Sequence, residues 1–221
     1  MDESVPPAAI DVTPLERDPQ TRGRLLQSAV HIFDRKGYSA ASVREIAEMA
    51  GVTKPALYYH FGSKEGLLIA ILEEAIREFE KAILSAVAKP GSARERLMGL
   101  CEDVFSLFEV NIPIVRVAHT VFLGPVGIAP AFDLTSFERV WRENLQRVVE
   151  DGQASGEFRA VPSVDVAYAL MGLVDSCVER QMHPGFDPVG RDGLRKIVTL
   201  LFDGVSSEQR SPVLGTARVE G

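Results

Sequence analysis

Cysteine is scarce in this chain: Cys101 and Cys177 are the only two in 221 residues. No C-x-x-C pair is present, so structural zinc and a disulfide framework are excluded, and no metal site is expected. A reducing cytoplasm is the simplest compartment. Long hydrophobic runs are missing too, no uninterrupted apolar stretch exceeding that of Leu67 to Leu72, far short of the ~18 residues of a membrane span. The first twenty residues are acidic and broken by Pro6, Pro7, Pro14 and Pro19, the opposite of a basic and then apolar export signal. A soluble cytoplasmic protein with no membrane partner is therefore expected. Sustained period-two alternation, the mark of half-buried strands, is also lacking.

What is present is 46% apolar and 25% charged residues at a net charge of −7. That composition is globular, and the overall sign discourages a polyanionic partner unless positive charge is concentrated somewhere. It is concentrated. Residues 17–64 hold eight Lys and Arg against four Asp and Glu, whereas 1–16 hold four acids and no base. Charge alone leaves open a chance fluctuation in a small window.

Apolar residues recur at helical spacing, as in Leu25, Ala29, Ile32, Phe33 and again in Leu68, Ile71, Leu72, Ala75, Ile76, Phe79, which predicts an all-α fold. Caps and breakers divide it into about nine helices. Thr21 is read as the cap of a first helix that Gly37 stops, Ser42 opens a second ended by Gly51, and Thr53 opens a third reaching about His60. Ser42 and Glu45 have capping-box spacing. Ser63 starts a long fourth helix to about Lys89, and further helices are expected near 92–109, 112–122, 134–152, 163–182 and 190–205. The predicted organisation is a mobile tail over 1–19, a small helical domain over 20–66, a larger helical domain over 67–205, and a mobile tail over 206–221.

Residues 43–60 meet the steric demands of a helix-turn-helix. Ala47 is small where two crossed helices touch, Gly51 can take the positive φ of a short turn, and Ile46, Ala50, Val52 and Leu57 supply the apolar contact. The second helix then presents Lys54, Pro55, Tyr58, Tyr59 and His60. Lysine donates to guanine or phosphate, tyrosine hydroxyls reach phosphate, and rings meet thymine methyls. Phe61 and Leu57 read as core.

Here the chain resembles the TetR family of bacterial transcriptional regulators, through Thr53-Lys-Pro-Ala-Leu-Tyr-Tyr-His-Phe61, Gly62-Ser-Lys-Glu-Gly-Leu67 and the upstream Ser42-Val-Arg-Glu-Ile-Ala-Glu-Met-Ala-Gly-Val52. The resemblance spans about Thr21 to Ile71; beyond it only helix number and length match. It implies that the helix from Thr53 to His60 enters the major groove of double-stranded operator DNA, that Lys64 holds a phosphate, that 20–66 is the DNA-binding domain and that the helices of 67–205 form an effector-binding and dimerisation domain. The DNA contacts it transfers are Ser42, Arg44, Thr53, Lys54, Pro55, Tyr58, Tyr59, His60 and Lys64. Arg22 and Arg24 are either additional phosphate contacts or a solvated arm.

The helix from Ser163 to Met182 is apolar nearly all round, which fits burial on two sides. With the last helix it predicts a two-fold homodimer interface through Val166, Leu170, Val174, Val178, Ile197 and Leu201; the alternative is the central helix of a monomeric bundle. Aromatic and soft residues of the middle helices, Phe105, Phe108, Phe122, Phe137, Trp141 and Met171, with Arg116, His119 and Asp175 as polar anchors, are candidates to line an effector pocket. The alternative for each is ordinary core packing. No G-x-S-x-G, H-E-x-x-H, P-loop or G-x-G-x-x-G is present, so neither an enzyme nor a bound cofactor is expected. The leading expectation is a homodimeric repressor that binds a palindrome and is released by a small, largely apolar molecule. An adaptor that binds DNA without an effector, or a helical enzyme, are the alternatives.

Overall fold

The computed structural model describes residues 18–122, 132–183 and 185–205. Among the described residues it is all-helical, with nine helices: α1 (Pro19–Lys36), α2 (Val43–Ala50), α3 (Lys54–Phe61), α4 (Lys64–Val87), α5 (Ala93–Val110), α6 (Ile112–Phe122), α7 (Thr135–Ala154), α8 (Ser163–Met182) and α9 (Arg191–Val205). Residues 1–17 and 206–221 of the expected tails lie outside the described residues, as does the Pro/Gly stretch expected at 124–130. No single described helix is long and apolar enough to cross a membrane.

Local chemistry sets the helix ends. The first start is earlier than the sequence reading placed it: Asp18, not Thr21, caps α1, its carboxylate accepting from the amides of Gln20 and Thr21 at 3.0 Å each. Pro19, read as part of a tail, instead occupies the first helical position, where its missing N–H costs nothing. The capping box at Ser42 is complete, with Oγ accepting from the Glu45 amide and the Glu45 carboxylate accepting from the Ser42 amide. A second box at Ser92 and Glu95 starts α5. Gly51 ends α2 at φ 66°, ψ 35°, the left-handed conformation that glycine adopts without a Cβ penalty.

Two apolar cores result. One joins Leu25, Ala29 and Phe33 of α1, Ile46 of α2 and Leu57 of α3 to Leu67–Leu72 of α4, and also takes in Val117 and Val121 of α6. The other is built from the far half of α4, from Phe79 to Ala86, with α5, α7, α8 and α9. The boundary expected at residue 66 therefore cuts through the first core. The long helix α4 is shared by both cores, and α6 docks on the first although it follows α5 in the chain. The axes of α5 and α6 meet at 88° across Asn111, which turns α6 back towards α1.

Candidate DNA interface and cavity

Four helices set up the head: α1 and α2 pack together, α3 crosses α2, and α4 follows at a tight corner. Val52 N–H donates to Ala47 O at 2.9 Å across the turn, and Ala47 is buried at the helix crossing. Leu57 is fully buried, which fixes the rotation of α3 and turns Lys54, Pro55, Tyr58 and Tyr59 to solvent. Each tyrosine is half exposed, and among the described residues neither hydroxyl has a hydrogen-bond partner. The His60 ring meets Tyr59 edge-on at 5.5 Å.

The remaining sequence-predicted contacts divide. Ser42 and Thr53 are exposed caps of α2 and α3, each with its oxygen accepting a backbone amide. Arg44 is exposed and paired with Glu48 at 2.6 Å. Lys64 departs from the expected phosphate role: its Nζ donates to the carbonyls of Tyr38, Ser39 and Ala41 at 2.9, 3.3 and 3.0 Å and lies 4.6 Å above the Tyr38 ring. All three ammonium donors are thus spent inside the chain, tying the start of α4 to the α1–α2 connection. Arg22 is likewise drawn inward, to Glu74 at 3.0 Å and over the Phe61 ring. Arg24 stays exposed beside the Gly51 turn. The corner between α3 and α4 depends on a close approach, since a Cβ on Gly66 would stand 2.1 Å from the Phe61 carbonyl oxygen.

A cavity of about 740 Å³ opens between the head and the C-terminal helices, within the ~300 to 1,000 Å³ range of small-molecule sites. Phe108, His119, Phe122 and Phe137 of the expected pocket line it. Phe105, Trp141 and Met171 do not: they are buried inside the second core, with Trp141 edge-on behind the cavity residue Phe79 at 5.8 Å. Arg116 is turned away from it and paired with Asp34 at 2.8 Å. Sequence reading missed the wall from α1, namely Leu26, Gln27 and Val30, and the wall from α4, including Ile71, Ala75 and Ile76. Those positions carry the helical periodicity that reads as core, and only the fold separates a core face from a cavity face.

Asp175 faces a second cavity of about 580 Å³, lined also by Ser176 and Glu179 of α8; Phe108, Val115 and His119 line both cavities. The interface expected on α8 needs correction. Val166, Leu170, Val174 and Val178 are buried within their own chain, because α8 packs on α5, α7 and α9 at once, which is why it is apolar nearly all round. The open surface is elsewhere: Tyr168 and Gly172 of α8 are exposed, Leu200 of α9 is 73% exposed, and Ile197 and Leu201 are partly buried beside it.

An exposed aromatic helix set on a small-residue crossing and a left-handed glycine turn defines a helix-turn-helix DNA-binding protein. Residues 25–71 match the family described as bacterial regulatory proteins, tetR family. The chain is 39% identical over 95 residues, 43% of each chain, to the transcriptional activator FasR of Mycolicibacterium smegmatis. It is 25% identical over 186 residues, 84% of this chain and 91% of the other, to the transcriptional repressor KstR2 of Rhodococcus jostii. Among solved structures, the TetR-family regulator PfmR of Thermus thermophilus superposes with a TM-score of 0.69 at 26% identity, over 84% of this chain and 97% of that one. Residues 25–71 thus carry a TetR-family DNA-binding segment, and along most of its length the chain is similar to a TetR-family transcriptional regulator.

Proposed function

We propose that the chain acts as a homodimeric repressor that reads a palindromic operator through α3 and releases it when a small apolar molecule fills the cavity between α1, α4, α5, α6 and α7. The observation that carries this reading is the α1 wall of the cavity: Leu26, Gln27 and Val30 belong to the same helix that holds α2 and α3 in place. A ligand there touches the reading head directly. Lys54, Pro55, Tyr58, Tyr59 and His60 are the base and phosphate contacts, with Ser42, Arg44 and Thr53 at their edge, and Lys64 orients the head instead of meeting the duplex. Tyr168, Gly172, Ile197, Leu200 and Leu201 form the two-fold face. Repression is favoured over activation because a relative matched along most of its length is a repressor, whereas the activator is matched over less than half. The cytoplasm, where the chromosome lies, is the site of action.

The test is selection of bound fragments from sheared DNA of the source genome, with Tyr59→Ala as control. The reading requires a palindromic fragment retained by the wild type and weakened by roughly five- to 150-fold in the variant, with unchanged melting temperature. Equal retention by both proteins rejects α3 as the reading helix.

A further inference from the structure

The two cavities differ in chemistry. The larger is apolar; Glu74, Glu78 and Glu138 line it, and each is paired with a neighbouring cation, Arg22, Lys81 and Arg142. The smaller carries Asp175, which has no hydrogen-bond or ion-pair partner among the described residues, together with Glu179. No lysine or arginine lines either cavity among the described residues. Arg116, on the same helix as His119, is held by Asp34. The shared residues Phe108, Val115 and His119 make the two spaces neighbours, with an aromatic ring and an imidazole at the waist.

We infer that the effector is an elongated amphiphile whose apolar body fills the larger cavity and whose cationic end, an organic ammonium, meets the Asp175 carboxylate in the smaller one. The inference rests on the effector reading above and adds the ligand's charge. Asp175 is an exposed, unpaired carboxylate on the lining of the smaller cavity, and a cationic group brought beside it gains Coulomb attraction. A carboxylate- or phosphate-bearing ligand would instead meet Asp175 and Glu179, with the His183 imidazole, 4.0 Å from Glu179, as the one basic group paired with them among the described residues. Asp175 is exposed, and the protein around it still pushes its carboxyl up to about 6 by removing part of its hydration, which leaves the group ionised at neutral pH.

Three probes with one ten-carbon tail separate the possibilities by calorimetry on the full-length protein: decyltrimethylammonium, decanol and decanoate, all below micelle formation. The expected order of affinity is ammonium over alcohol over carboxylate. Asp175→Asn should lower the ammonium's affinity by roughly ten- to a hundredfold, the loss of a charge-assisted contact, and leave the alcohol unchanged. Decanoate binding as tightly as the ammonium, or equal losses for ammonium and alcohol in the variant, overturns the charge assignment while leaving the cavity reading intact. Ala75→Trp and, separately, Ala118→Trp fill the larger cavity and should abolish binding of all three with the helical signal retained. If none of the probes binds the wild type, both the charge assignment and the apolar effector site are rejected.

Discussion

Arg116 on α6 donates from Nη1 to both carboxylate oxygens of Asp34 on α1, at 2.8 and 3.1 Å. The same α6 carries Ile114, Val115, Ala118, His119 and Phe122 into the cavity wall, so one ion pair and one apolar contact join the ligand site to the helix that frames the reading head. Val117 and Val121 bury the opposite side of α6 in the head's own core. A shift of α6 is therefore shared with α1 as a rigid-body movement. Asp34→Ala should cost about 1–2 kcal/mol of stability, since a partly buried charge-assisted hydrogen bond is lost. It should also reduce the ligand-induced change in operator affinity, measured by anisotropy with and without decyltrimethylammonium. An unchanged response would assign the coupling to the apolar contacts alone.

Lys64 gives a second, sharper contrast. If its role is the three carbonyls at the α1–α2 connection, Lys64→Met leaves those oxygens without their donor and should lower stability by about 1.5–3 kcal/mol. The salt dependence of operator binding should then keep its slope. A phosphate contact would behave the other way, with unchanged stability in urea and a slope reduced by about one unit.

The helix-turn-helix was legible in the sequence because its constraints are local: Ala47, Gly51 and the Ser42/Glu45 box each work within a few residues. The cavity was half legible. Phe108 and Phe137 differ from Phe105 and Trp141 only in which side of one helix they occupy, and their helical spacing is equally regular. The α1 wall was hidden because Leu26 and Val30 lie on the helix side that ordinarily packs against a neighbour. The same ambiguity led α8 to be read as an interface at its buried residues: an apolar helix enclosed by α5, α7 and α9 and one buried against a partner have the same composition. The inward bonding of Lys64 was not legible for another reason. Hydrogen bonds to carbonyls more than twenty residues away leave no periodic trace.

The exposed side of α8 and α9 predicts a dimer with a clean pair of variants. Leu200→Glu should dissociate it, read by sedimentation at micromolar concentration, and leave the monomer folded, because Leu200 has little to lose within its own chain at 73% exposure. Leu170→Asp should instead unfold the chain, as a fully buried position cannot hold an unpaired charge without a cost of several kcal/mol. A wild type that sediments as a monomer would reject the interface.

Asp175 makes both stability and ligand affinity depend on pH. Removal of hydration raises its carboxyl from the ordinary 3.8 to about 6 in the folded chain, so folding favours the protonated form. Below about pH 4 both states are protonated and the contribution is fully present. As pH rises from about 4 to 6 the unfolded chain releases the proton first, and the contribution is lost as the folded group ionises; above that range it stays constant. Asp175→Asn should therefore remove this slope from the urea midpoint and stabilise the protein at neutral pH. Binding of an ammonium runs in the opposite direction, strengthening as Asp175 ionises through about pH 6. His119 and Glu179 face the same cavity. His119→Asn is thus the control: a pH profile that persists in it and vanishes in Asp175→Asn assigns the effect to the carboxylate. A profile that vanishes in His119→Asn and persists in Asp175→Asn assigns it to the imidazole.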